Sequence, residues 1–357
     1  MNIFEEDDLR FGTQIDTLGE FGLIDHLTSG IKIKNNRTIH GIGDDCAVID
    51  IGSCYQLVST DLLVEGVHFD LTYSPLKHLG YKSVVVNVSD ICAMNGHPKQ
   101  ITVGLAIGNR ITVEALDELY SGIKLACDRY KIDLIGGDTT TSISGLMISI
   151  NILGEVQKDK IIYRSGAQIN DLIVCTGDLG ASYLGLQLLN REKAVFKGNP
   201  KAQPDLSGHD YILSRQLKPE AGVKYLKILR DLKIKPTSMI DVSDGISSEA
   251  LHISKASQVG VTIYEEKLPI DYTVMNLASE FNLNPITCAL NGGEDYELLF
   301  TINQKEYDKI KKDPDFTIIG FVNDLSQGNN FITADGSSHK LTAQGWNSIS
   351  ADNKGLK

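Results

Sequence analysis

Seven aspartates recur, in short clusters marked by glycine or serine, over two hundred residues of this chain. They are Asp44 and Asp45 in GIGDD, Asp61 in STD, Asp90 in NVSD, Asp138 in GGDTT, and Asp241 and Asp244 in DVSDG. Five separated segments thus carry hard carboxylate oxygens next to small residues. A fold that brought them together unaided would meet strong mutual repulsion. One arrangement accounts for all five: convergence on a polyanionic ligand held through several Mg²⁺ ions. Mg²⁺ takes oxygen ligands and combines a few carboxylates with substrate phosphate and water.

At 357 residues the chain exceeds the roughly 250–300 residues at which single cores stop growing. Two domains are expected, 1–157 and 158–357. The formal net charge of -12 argues against a nucleic-acid backbone as partner, which needs clustered Lys and Arg. No apolar run reaches the ~18 residues of a membrane span. The acidic start MNIFEEDDLR lacks the basic and apolar regions of a signal peptide, so a cytoplasmic protein is expected. The six cysteines include no CxxC pair, which favours reduced, buried thiols over a disulfide framework or a zinc site.

Strand patterns outnumber simple βαβ repeats, so the chain reads as α+β, with mixed or antiparallel sheets flanked by helices. Residues 75–96 are ambiguous. SVVVNV alone suits a strand, but Leu79, Ser83, Val86, Asp90 and Met94 recur at helical spacing, which predicts a helix with Asn87 and Asp90 on one face. IDLIGGDTT reads as a strand ending in a Gly-rich turn. Residues 191–208, polar with Pro and Gly, read as a surface excursion.

Each motif has a plain structural alternative. GIGDD suits a metal site or an Asx-rich turn. Ser59 and Thr60 beside Asp61 can meet phosphate or metal-bound water, and His68 follows in the same segment; a turn and a surface histidine are the alternatives. Asp90 among apolar neighbours needs a partner or a metal. GGDTTTS can cradle phosphate on backbone N–H groups, yet no GxxxxGK[ST] occurs, so any kinase here lacks the P-loop and leans on metals. In DVSDGISSE, helix capping by Ser243 or Asp244 explains one residue but not Asp241 and Asp244 together. Arg164 in YRSGA is a phosphate clamp or a surface charge. Glu294 and Asp295 follow paired glycines. Trp346, the single tryptophan, is a packing residue or an aromatic platform for a cationic ring.

GIGDDCAV, STDLLVEGVHF, NVSDICAM, LIGGDTT, RSGA, TGDLGAS, IDVSDGISSE and GGEDYELLF, in this order, resemble the thiamine-monophosphate kinase family from about residue 10 to 347. The resemblance implies the two-domain aminoimidazole ribonucleotide synthetase-like fold, with a homodimer formed through the sheets of the first domain. It implies transfer of phosphate from ATP to thiamine monophosphate with Mg²⁺. It places metal ligands at Asp45, Thr60, Asp61, Asp90, Asp138, Asp241 and Asp244, of which Asp45, Asp90, Asp138 and Asp244 serve the chemistry. Ser59, Gly137, Asp138, Arg164 and Ser243 would meet the nucleotide, and His68, Glu294 and Trp346 the thiamine substrate. Selenophosphate synthetases and hydrogenase-maturation dehydratases share the fold, but would carry a reactive cysteine near the N-terminus or at the C-terminus respectively. Neither MNIFEEDDLR nor the final KGLK contains one. An ATP-binding regulatory module without catalysis is the non-enzymatic alternative.

Overall fold

A computed structural model describes residues 17–343 except 200 and 202. Among these, residues 17–35, with helix α1 (Gly19–Thr28), fall in a small unit of their own, and residues from Asn36 onward form a single compact unit.

In chain order the second unit contains β1 (Thr38–His40), β2 (Ala47–Asp50), β3 (Tyr55–Val64), α2 (Leu76–Ala93), β4 (His97–Gly108), α3 (Val113–Tyr130), β5 (Asp133–Ser142) and β6 (Met147–Val156). There follow β7 (Leu172–Thr176), α4 (Ala181–Gly198), α5 (Asp210–Leu217), α6 (Val223–Asp231), β8 (Ser238–Asp241), α7 (Ile246–Ser257) and β9 (Gly260–Tyr264). The last elements are α8 (Tyr272–Glu280), α9 (Pro285–Asn291), β10 (Leu298–Ile302), α10 (Tyr307–Ile310), β11 (Phe316–Asn323), β12 (Asn330–Ile332) and β13 (Ser338–Lys340).

The first six strands form one sheet in the order β1-β2-β3-β6-β4-β5, and the last seven a second, β13-β12-β9-β11-β7-β10-β8. Neighbours are antiparallel except β4–β5 and β9–β12. The expected α+β class with mixed sheets is what forms.

Helix α2 is the central element. Its Val-rich sequence has modest helix propensity, but the helix is buried on nearly every side, from Leu79 to Ala93, and tertiary packing decides the contest. One side lies on the first sheet, where Leu57, Ile101, Val103, Ile148, Ile150 and Ile152 are buried. The other side meets α3 at two glycines. A Cβ on Gly80 would fall 2.0 Å from the Leu119 carbonyl oxygen, and one on Gly122 would fall 1.9 Å from that of Lys77. The same core continues into the second sheet through Val174, Met239, Leu298 and Phe300. The opposite face of that sheet packs under α7 through Ile173, Ile240, Leu299 and Ile319. Buried on both faces, its central strands therefore read as continuous apolar runs.

Two expectations are corrected. The Gly-rich turn at GGDTT is strand: β5 runs through it, paired in parallel with β4. Ladder hydrogen bonds outweigh the turn-like composition, and Gly137 is needed because a Cβ there would sit 1.9 Å from the Val103 carbonyl oxygen. The excursion at 191–208 begins as helix, since α4 continues to Gly198. The Asp205 N–H then donates to Glu192 Oε2 at 2.9 Å, folding the following segment back onto the helix.

Gly122→Ala, and equally Gly80→Ala, is expected to destabilise the chain by roughly 1–3 kcal/mol, because overpacking at a backbone contact outweighs the helix propensity gained. Urea unfolding of the two variants against the parent measures it.

Candidate functional site

Strands alternate faces, and β3 uses this to aim Ser59 and Asp61 at α2, on the face that buries Leu57 and Leu63. The Ser59 hydroxyl donates to Asp90 Oδ2 at 2.5 Å, and the Asp61 N–H donates to Asn87 Oδ1 at 3.1 Å. One residue before Asp90, the Ser89 hydroxyl donates to Asp241 Oδ2 at 2.6 Å, which ties α2 to the end of β8. The GIGDD loop closes the third side. Carboxylate oxygens of Asp45, Asp90 and Asp241 all lie within 4.8 Å of one another. Arg164 donates from Nη2 to Asp45 Oδ1 at 2.6 Å, and its backbone N–H donates to Asp44 Oδ2 at 3.1 Å. Arg164 is thus neither a surface charge nor remote from the cluster.

Burial, then the neighbouring Asp45 carboxylate, pushes Asp241 up to about 8 and Asp44 to about 7. Burial pushes Asp61 to about 6. Asp90 is driven well above the usual range by burial and then by Asp61 and Asp241. The chain alone therefore holds these groups partly protonated, and a divalent cation would reverse that. The residues fit such an ion: every donor is a hard oxygen, and the buried Asp45 Oδ2 has no partner. Oxygen-only sites suit Mg²⁺ or Ca²⁺.

The DVSDG turn follows β8. Gly245, at φ 108°, is the N-cap of α7, so neither Ser243 nor Asp244 takes the N-cap position that the structural alternative offered them. The Asp244 N–H instead donates to Glu249 Oε1 at 2.9 Å. Burial and then the Asp244 charge push Glu249 well up. Ser243 accepts the Glu294 N–H at 2.6 Å through its carbonyl oxygen.

Two of the expected metal ligands stand apart within the chain. Thr60, between Ser59 and Asp61, is exposed on the other face of β3. Asp138 is exposed on the edge strand β5, in register with Gly104, Ser149 and then Leu62. Three strand spacings put it about 14 Å from β3, with Gly137 beside it.

His68 lies half-buried in a recess with Phe69, Tyr73, Lys82, Gln216 and Leu217. The Val64 N–H donates to His68 Nδ1 at 3.0 Å, so a neutral ring carries its proton on Nε2. Glu294 adjoins this recess through Lys82, at 2.8 Å, and Gln216, at 3.0 Å. Trp346 lies outside the described residues. Sequence reasoning missed Ser89, Glu249, Lys82 and Gln216. Ser89 and Glu249 sit inside quoted motifs, whereas Lys82 and Gln216 carry no local signal.

Residues 43–156 match the family model "AIR synthase related protein, N-terminal domain". Thiamine-monophosphate kinase of Bacillus subtilis is 34% identical over 342 residues, covering 92% of this chain and 99% of that protein. That of Buchnera aphidicola from Acyrthosiphon pisum is 37% identical, covering 88% and 94%. The chain belongs to the thiamine-monophosphate kinase family. The solved structure of AaThiL complexed with AMPPCP and TMP matches with a TM-score of 0.80 at 33% identity, over 94% of this chain and 99% of that one. Hydrogenase maturation protein HypE in complex with ATP shares the fold, with a TM-score of 0.64 at 18% identity. The family resemblance carried by the eight motifs thus holds over most of the chain.

Raised folded-state pKa values mean that the folded, metal-free chain binds excess protons. The stability contributed by Asp241 is fully present below its unfolded value near 3.8 and is lost as pH rises toward about 8. A cation needs the ionised form. The rise in melting temperature on adding Mg²⁺ is therefore expected to be larger at pH 8 than at pH 6, and absent from Asp241→Asn at both. A free ion at ~100 times its dissociation constant would stabilise by about 2.7 kcal/mol; thermal melts with EDTA or Mg²⁺ read it.

Proposed function

We propose that this chain transfers the γ-phosphoryl group of ATP to thiamine monophosphate, giving thiamine diphosphate and ADP. The observation that carries the reading is the buried Asp45–Asp90–Asp241 cluster with Arg164 clamped against it, in a chain that belongs to a kinase family. A phosphate oxygen of thiamine monophosphate attacks the γ-phosphorus in line. The bond from that phosphorus to the bridging oxygen breaks, and ADP leaves with the oxygen. The attacking phosphate is already ionised near neutral pH, with a second pKa of about 6, so no strong general base is required. Positioning and charge neutralisation supply the catalysis.

Asp45, Asp90 and Asp241, with Asp61 and Asp244 near them, would hold Mg²⁺, which would neutralise the two phosphate groups that must meet. Arg164, held by the Asp44 and Asp45 carboxylates, offers its remaining donors to nucleotide phosphate. Ser59 fixes Asp90, and Ser243 lies beside Asp244 in the turn that would face the nucleotide. His68 and Glu294 flank the recess that would take the thiamine rings, where a carboxylate suits a cationic ring.

Thr60, Gly137 and Asp138 enter the proposal through a homodimer. β5 is exposed along almost its whole length, and Leu62 and Ile135 are exposed on the same sheet. A second copy covering this sheet would bury that surface and bring Asp138 to a nucleotide. In this reading 1–157 is the nucleotide-, Mg²⁺-binding and dimerising half, and 158–357 completes the site. Among the described residues no helix is long and apolar enough to cross a membrane. The six cysteines are free and buried, which supports a reducing, cytoplasmic setting.

The test is a coupled ADP-release assay with ATP and Mg²⁺, offering thiamine monophosphate, thiamine and aminoimidazole-type precursors in parallel. Thiamine diphosphate is expected from the monophosphate alone, with Asp45→Asn reducing turnover by ~100-fold or more, the scale seen when one preorganised electrostatic contact is removed. ATP turnover only with another acceptor would overturn the substrate assignment. ATP binding without turnover on any acceptor would favour the regulatory module.

A further inference from the structure

Glu294 is held in place more tightly than a carboxylate at the rim of a recess requires. Its backbone is left-handed, φ 57°, between Gly293 at 71° and Tyr296 at 52°. Such a conformation in a non-glycine residue persists where the surroundings over-determine it. Here the Glu294 N–H is tied to the Ser243 carbonyl oxygen at 2.6 Å. The side chain is fixed as well. Lys82 Nζ pairs with Oε1 at 2.8 Å, and Gln216 Nε2 donates to Oε2 at 3.0 Å. The clamp is itself cross-braced: Lys82 Nζ donates to the Gln216 carbonyl oxygen at 3.1 Å, and the Ser182 hydroxyl donates to Gln216 Oε1 at 2.5 Å.

We propose that Lys82 and Gln216 are positioning residues for the thiamine substrate, holding one Glu294 oxygen each so that the carboxylate faces the cationic ring. This rests on the function proposed above. Stability alone is a poor reason for the arrangement. The Lys82 side chain is only 7% exposed and that of Glu294 28%, and a buried ion pair commonly gains nothing over an apolar replacement of similar volume. Both clamp residues line the recess that contains His68 and Tyr73, so the pair is directed at the place where a ligand would lie. Lys82 also precedes Ser89 by seven residues, two turns along the same stripe of α2, or about 10 Å. Ser89 holds Asp241. One rigid helix thus sets the separation between the carboxylate for the ring and the carboxylates for the phosphates. Because the clamp acts on the ring, its loss should weaken ground-state and transition-state binding equally, raising KM and sparing kcat.

The test compares the full chain with Lys82→Met, Lys82→Arg and Gln216→Leu. It uses steady-state kinetics, calorimetric binding of thiamine monophosphate and melting temperature. KM for thiamine monophosphate is expected to rise roughly tenfold or more in Lys82→Met and Gln216→Leu, with kcat and KM for ATP within about threefold of the parent. Lys82→Arg, which keeps the charge, should recover most of the loss. A folded Lys82→Met with the parent's KM overturns the clamp. So does a lowered KM, which would mean that the ammonium competes with the substrate's cation, or a parallel loss in kcat and in KM for ATP, which would mean a structural role. If Lys82→Met does not fold, Gln216→Leu decides, since it leaves the ion pair in place. A parent that neither turns over nor binds thiamine monophosphate overturns the proposed function, and the clamp with it. A parent that does both while the variants match it overturns the clamp alone.

Discussion

Mutual repulsion among buried carboxylates is the constraint on which this structure turns. Asp45, Asp90 and Asp241 come from three distant segments and meet within 4.8 Å. At that separation each ionised pair repels by about 3 kcal/mol at an effective dielectric of ~20. The chain offsets this only partly. Arg164 meets Asp45, and the hydroxyls of Ser59 and Ser89 donate to Asp90 and Asp241. In the proposed function this residual repulsion is what cations, and the phosphates that they carry, would relieve.

Helix α2 bears that strain because packing holds it rigidly. It is buried between the first sheet and α3, with glycines at both points of closest approach. Its far end reaches β8 through Ser89. A single helix therefore presents Lys82 toward the recess, Asn87 toward the β3 backbone, and Ser89 and Asp90 toward the cluster. This is positioning on a rigid element, which loops alone would not provide.

The turn between β10 and α9 does complementary work from the second sheet. Its left-handed residues bring Glu294 against the DVSDG turn and toward Lys82 and Gln216. The Asp45–Asp90–Asp241 cluster and the Glu294 carboxylate thus share one hydrogen-bonded framework. The arm formed by the end of α4 is part of the same surroundings: Lys193 pairs with Asp70, in the loop that carries His68 and Tyr73.

Much of this was legible in the residues. Helical spacing outweighed the β-branched run in 75–96, and the buried helix bears that out. Carboxylates beside small residues marked Asp45, Asp61, Asp90 and Asp241, which the fold brings together. The errors came where composition and long-range pairing disagree. GGDTT has the composition of a turn, but β4 was available to pair with it. By itself, then, the sequence determined the α+β class, the helix that carries the site and the chemistry of its ligands, because periodicity and charge are local properties. Tertiary structure decided which carboxylates meet, that Thr60 and Asp138 stand apart within one chain, and that Lys82 and Gln216 clamp Glu294. Those outcomes depend on strand register and on contacts between residues far apart in the sequence, and no local pattern encodes them.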